Sequence, residues 1–159
     1  MPVHPIPPVY DRSSKILILG SFPSVRSREE GFFYGHPQNR FWKVLASVFD
    51  EETPKTVEEK KKFLLRNHIA VWDVIHSCDI EGSSDASIRN VVANDLRVIL
   101  DKADIKAIYV NGKTAFQYYQ KYTEPVINRP AICLPSTSPA NAAWSVERLV
   151  TAWKDIAKM

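Results

Sequence analysis

Apolar and polar positions along this chain fall into blocks with two different periods. Lys15-Ile16-Leu17-Ile18-Leu19 is a short apolar run closed by Gly20, which predicts a strand buried on both faces. Ile69-Ala70-Val71-Trp72, Ile105 to Val110 and Ala131 to Leu134 read the same way. Between them the period lengthens to that of a helix. Arg40 to Phe49 places Phe41, Val44, Leu45 and Val48 on one face. Thr56-Val57-Glu58-Glu59 is a capping box that opens a second helix, with Phe63 and Leu64 on its apolar side. Ser87 to Lys102 reads as a third helix, through Ile88, Val91, Val92, Leu96 and Ile99. Two more are predicted from about Lys113 to Tyr122 and from Ala142 to Lys158.

Strands that alternate with helices predict an α/β fold, a three-layer αβα sandwich around a central four-stranded parallel sheet. In such sheets ligands bind beyond the carboxyl ends of the strands, where the strand order reverses. Four segments then converge on one cleft: Gly20 to Ser24, Asp73 to Ser77, Asn111 to Thr114 and Pro135 to Asn141. The connection from Ser21 to Gln38 is long for a loop, which points to function.

Composition narrows the class. A length of 159 residues, 45% of them hydrophobic and 25% charged, suits one soluble domain. Residues 1–14 are Pro-rich and expected to form an extended arm, with residues 15–159 as the single domain. The start lacks the basic and apolar regions of a signal peptide, so the expected compartment is the cytoplasm, and no run is long enough to span a membrane. Cys78 and Cys133 form no CxxC pair, and His4, His36, His68 and His76 lack ligand spacing. Neither a metal, an iron–sulfur cluster nor another cofactor is expected. A formal charge of +3 is compatible with a polyanionic partner without establishing one.

Motifs sharpen the picture. Asn111-Gly112-Lys113-Thr114 looks like the end of a phosphate loop, but the first glycine of that motif would fall at Ala107, inside a strand. Gly20-Ser21-Phe22-Pro23-Ser24 has the wrong order for a hydrolase serine elbow. Pro135-Ser136-Thr137-Ser138-Pro139 precedes a predicted helix and reads either as a phosphate clamp or as a capped turn. Gly31 to Trp42 is the densest segment, with aromatics that either stack on bases or serve the core.

Tyr34 to Leu45, YGHPQNRFWKVL, closely resembles the HPxNRFWK segment of the mismatch-specific uracil/thymine-DNA glycosylases. GSFPS at 20–24 and PSTSPAN at 135–141 sit where the uracil-DNA glycosylase superfamily carries its first and second motifs. Three departures are informative. Phe22 stands where those enzymes carry a water-positioning Asn or Asp, Ser136 where a His or Asn is usual, and Ala140 where a Leu wedge is usual. The combination of GSFPS, NRFW and STSPAN is similar to the hypoxanthine-DNA glycosylase branch.

That resemblance implies an enzyme that excises hypoxanthine from deoxyinosine in DNA by flipping the nucleotide out of the stack. It implies a catalytic Asn39, which also suits a helix cap before Arg40. It implies base contacts from Tyr34 as the stacking ring, Phe22 as a second wall, Asp73 at the base edge and Ser136. The alternative for Asp73 is a solvated or capping strand-end carboxylate. Ser21, Ser24, Ser138, Asn141 and Lys113 become DNA contacts, with Arg26 and Arg28 as further candidates, and Trp144 or Asn141 as the plug for the vacated stack. No lysine stands out as a Schiff-base nucleophile, so a monofunctional glycosylase acting as a monomer is expected. Two alternatives stay open: another deaminated base such as uracil, or a silent DNA-binding domain on the same scaffold.

Overall fold

The computed structural model describes residues 6–158. The first five residues of the Pro-rich arm, His4 among them, and Met159 lie outside the described residues. The elements run β1 (Ile16–Gly20), α1 (Val25–Glu30), α2 (Phe41–Val48), α3 (Val57–Arg66), β2 (Ile69–Asp73), β3 (Ile75–Asp79), β4 (Arg89–Ala93), α4 (Arg97–Leu100), β5 (Ala107–Asn111), α5 (Lys113–Tyr118), α6 (Glu124–Ile127), β6 (Ile132–Leu134) and α7 (Val146–Trp153). Among the described residues, no helix is long and apolar enough to cross a membrane.

The central sheet has the order β2-β1-β5-β6 with every pair parallel. All residues of β1 and β2 are buried, as continuous apolar runs require when helices cover both faces. The αβα layering matches the sequence expectation. Upstream, Ile6 and Val9 are buried, and Val9 forms an antiparallel bridge to Val71 on β2. β1 leads to β2 on one side and borders β5 on the other. The strand order therefore reverses at β1/β5, and a crevice opens at their carboxyl ends.

The capping box of α3 forms as expected: Thr56 accepts from the Glu59 N–H, and the Glu59 carboxylate reaches back to the Thr56 N–H. α2 and α7 pack against each other through Phe41 and Trp153, whose rings meet edge to face at 6.0 Å.

Four elements differ from expectation. The predicted helix from Ser87 to Lys102 is instead a 3-10 turn at Asp85–Ser87, the strand β4 and the single turn α4. β4 pairs antiparallel with β3 in a second, two-stranded sheet. The segment from Ser21 to Gln38 contains α1, capped by Ser24. The last helix begins at Val146 after a Ser145 cap rather than at Ala142, and ends in a 3-10 turn at Lys154–Lys158. α5 also widens into a π-turn at Tyr119–Thr123 before α6. Pro125 supplies no N–H for the Lys121 carbonyl four residues back, which favours that widening.

Candidate functional site

A cleft of about 960 Å³ lies at the carboxyl ends of the parallel strands. All four segments named from the strand-end rule contribute to it, and ten of the residues singled out from sequence line it: Ser21, Phe22, Ser24, Tyr34, Asn39, Asp73, Lys113, Ser136, Ser138 and Asn141. Arg26 and Arg28 do not line it, and Arg26 pairs with Glu30 on α1 at 2.7 Å.

The floor is set by strand register. Gly20 ends β1 opposite Asp73, its partner on β2. A Cβ on Gly20 would lie 2.4 Å from Asp73 Oδ1 and 2.9 Å from the Tyr34 hydroxyl. Glycine at this position thus lets a buried carboxylate and a buried phenol meet under the cleft. Burial, and then the Asp73 charge, push the Tyr34 pKa well above the ordinary tyrosine value, with the Asn111 side chain acting the other way. The phenol therefore stays protonated. The Tyr34 backbone sits in the left-handed region at φ 52, a conformation costing a non-glycine residue about 1–2 kcal/mol. What holds it there is a stack on Phe41, with ring centroids 3.8 Å apart and planes 16° off parallel. One ring face is thereby taken up by Phe41, and Tyr34 also lines the cleft.

Asn39 serves two purposes. Its Oδ1 accepts the Phe41 N–H at 3.0 Å, which satisfies the first free donor of α2, although the N-cap position itself falls on Arg40 and not on Asn39. The same oxygen accepts the Thr137 hydroxyl at 2.8 Å. Thr137 is fully buried and is bound twice by Asn111, whose Nδ2 donates to its hydroxyl and whose Oδ1 accepts its N–H, each at 3.0 Å.

Arg40 builds the opposite wall. Its guanidinium donates to the carbonyls of Thr137, Ser138, Asn141 and Trp144, and its own N–H donates to Thr137 O at 3.1 Å. The loop from residue 137 to 144 is thus wrapped around one side chain, the sequence neighbour of Asn39. Within that loop Asn141 Nδ2 donates to Ser136 O at 3.0 Å. Ser136 Oγ accepts the Ser138 N–H, and Ser138 Oγ accepts the Ala140 N–H. Each serine so used still has its hydroxyl proton to donate outward. Ser24 differs: its hydroxyl accepts the Ser27 N–H and donates to Ser27 Oγ, so it serves α1. Gly112, at φ 97, lets the start of α5 approach Ser136, to which a Cβ there would come within 3.0 Å. Lys113 follows it, exposed at the mouth.

The β3–β4 hairpin adds a wall that the helical reading of 87–102 hid: Ile80, Ser83, Ser84 and Asp85 from its connection line the cleft. Two bonds fasten that connection to α1, from Arg28 to Gly82 O at 2.7 Å and from the Val25 N–H to Ser83 Oγ at 3.0 Å. The Arg28 guanidinium also lies over the Phe22 ring at 5.5 Å. Arg28, a candidate DNA contact from sequence, is thus engaged in building the site. Trp144 lines the cleft edge with its ring 4.0 Å from the Arg148 guanidinium. Asn111, Thr137 and Arg40 are the residues whose part sequence reasoning missed. The available signal was their place in segments already singled out, Asn111 and Thr137 at strand ends and Arg40 beside Asn39.

The chain is similar to several known proteins. A hypoxanthine DNA glycosylase from Methanosarcina acetivorans is 35% identical over 147 residues, 89% of this chain and 90% of its own. One from Methanosarcina barkeri is 35% identical over 123 residues, 76% of this chain and 75% of its own. The solution NMR structure of a candidate uracil DNA glycosylase from Methanosarcina acetivorans superposes with a TM-score of 0.78 at 30% identity, covering 95% of this chain and 96% of that one. The sequence model of the Uracil DNA glycosylase superfamily matches residues 7–157, and this chain belongs to that superfamily.

Proposed function

We propose that this protein is a monofunctional DNA glycosylase that hydrolyses the N-glycosidic bond of deoxyinosine and releases hypoxanthine. The observation that carries the reading is the meeting of Tyr34, Asn39, Asp73 and Ser136 in one cleft with room for a flipped nucleotide, with Phe22 where a water-positioning carboxamide or carboxylate would otherwise stand. The relatives bearing the name hypoxanthine DNA glycosylase favour the same base.

An inosine pair is weaker than a normal one, so extruding its nucleotide costs less than the few kcal/mol usual for flipping. The flipped purine stacks on the free face of Tyr34, with Phe22 as the facing wall. The Asp73 carboxylate accepts the N1–H of hypoxanthine, a donor that adenine lacks. Guanine shares this donor and is excluded by crowding at its C2 amino group. Ser136 and Ser138 offer hydroxyl protons to the flanking phosphates, and Lys113 adds charge at the mouth. Among the described residues Lys113 is the one lysine lining the cleft, and it lies at the rim, which favours hydrolysis without a Schiff base. One copy carries the whole cleft, so the protein is taken to act as a monomer.

The test is base release from oligonucleotides carrying inosine, uracil, xanthine or a thymine mismatch. Hypoxanthine is expected as the main product. Uracil as the main product would move the protein to another branch, and binding without any release would make it a silent DNA-binding domain. Replacing Asn39 by Ala should lower turnover by about 10²-fold or more. Near-normal turnover would leave Asn39 with its capping role alone.

A further inference from the structure

What the Asn39 amide can do is decided by the side chains behind it. A carboxamide presents an acceptor oxygen on one side and a donor NH₂ on the other, and a half-turn exchanges them. Here the sense is determined. The Phe41 N–H can only donate, so the atom facing it at 3.0 Å is the oxygen. The Thr137 hydroxyl donates to that same oxygen at 2.8 Å. Its direction is set from behind, because its own oxygen accepts from Asn111 Nδ2. Asn111 is held in that sense in turn, because its Oδ1 accepts the Thr137 N–H, another group that can only donate. Thr137 is shielded completely from solvent, so no bulk water competes for these bonds. Both lone pairs of Asn39 Oδ1 are thereby engaged.

We propose that Thr137, oriented by Asn111, is a positioning residue that locks Asn39 with its NH₂ as the working group, so that Asn39 acts as a hydrogen-bond donor to the departing purine and not as an acceptor for the attacking water. The inference rests on the glycosylase reading above. In that hydrolysis the C1′–N9 bond breaks with its electron pair remaining on the purine. Water oxygen bonds to C1′ and gives up one proton to solvent, and the purine takes one proton from solvent. Negative charge grows on the purine as the bond breaks, which is when a fixed N–H donor gains most.

Single-turnover base release tests this with Thr137→Val, Thr137→Ser, Asn39→Asp, Asn39→Ala and the Thr137→Val/Asn39→Ala pair. Thr137→Val should slow release about tenfold or more while leaving affinity for uncleavable lesion DNA unchanged, and Thr137→Ser should retain most of the rate. In the Asn39→Ala background Thr137→Val should cost nothing further. Asn39→Asp keeps an oxygen for Phe41 and Thr137 but puts an acceptor where the donor stood, and its rate should fall as far as that of Asn39→Ala. An Asn39→Asp protein at or above the wild-type rate, or equal losses from Thr137→Val in both backgrounds, would overturn the proposal.

A second readout needs no reaction. The Asn39 side-chain NH₂ resonances, identified by their absence in Asn39→Ala, should be one slowly rotating pair in the wild type and should rotate faster in Thr137→Val. Identical behaviour in the two proteins would refute the relay. A wild-type protein that released no base would sink the glycosylase reading, with this measurement still deciding the relay.

Discussion

At the scale of single residues, Gly20 shows how little space the site allows. Its missing side chain is the volume in which the Asp73 carboxylate and the Tyr34 hydroxyl come together, and both are buried too deeply to swing aside into solvent. Gly20→Ala should therefore displace one of them and cost about 1–3 kcal/mol of stability, the usual range for overpacking. Base release should fall further than that loss of stability explains, because the floor of the base pocket moves. Thermal denaturation alongside single-turnover release measures both, and a Gly20→Ala protein of normal rate would mean that neither group touches the base. Asp73 and Ser136 could be singled out in the sequence because they fall at strand ends, and Tyr34 and Asn39 because they fall in the aromatic-rich segment before α2. Thr137 and Asn111 lay in those same segments without showing their part, since a threonine and an asparagine at strand ends are ordinary turn residues. Only the folded chain reveals that each fixes the direction of the next hydrogen bond.

At the scale of elements, what misled the sequence reading was periodicity. Ile88, Val91, Val92, Leu96 and Ile99 fit a helical face, yet Val92 is 50% exposed and the run folds as a strand and a single helical turn. β-Branched residues there favour a strand, and Asn90 adopts φ 54, outside any helix. The hairpin that results brings Ser83 and Asp85 to the cleft, which no helical reading could have anticipated. The loop from 137 to 144 carries a different lesson, because its shape depends on an element far away in sequence. Arg40, at the start of α2, spends its guanidinium on four of that loop's carbonyls. Lysine cannot span four acceptors with one ammonium group, so Arg40→Lys should cost about 1–3 kcal/mol. Because Thr137 is one of the anchored residues, base release should drop with it, and the loop should become open to protease nicking. A residue that merely touched phosphate would behave differently. Arg40→Lys would then keep full stability and a closed loop, losing only salt-dependent DNA affinity, and that outcome would refute the clamp.

At the scale of the whole molecule, the parallel sheet and its switch point were readable because buried parallel strands leave continuous apolar runs that few other structures produce. The small antiparallel sheet and the π-turn after α5 were not, because both depend on local backbone departures without a periodic trace. That π-turn begins at Tyr119, which is fully buried and donates its hydroxyl to Arg129 O at 2.5 Å. Burial, and then the nearby Glu124 charge, push its pKa from the ordinary 10.0 up to about 12, with Arg129 opposing. The sign of the linkage follows directly. Below pH 10 the phenol is protonated whether the chain is folded or not, and the folded state keeps its full advantage. From pH 10 to about 12 the unfolded chain releases this proton while the folded chain retains it, so stability falls across that window and levels off above it. Tyr34 is shifted in the same direction, so removing Tyr119 should reduce the alkaline fall without abolishing it. Tyr119→Phe should therefore lose about 1 kcal/mol or somewhat more at neutral pH, where the Arg129 carbonyl goes without its donor. Its stability should then approach that of the wild type as the pH rises through the window. Urea midpoints measured for both proteins from neutral to strongly alkaline pH give the difference, from which other titrating groups cancel. A difference that stays constant with pH would show that Tyr119 ionises in the folded protein as readily as in the unfolded chain.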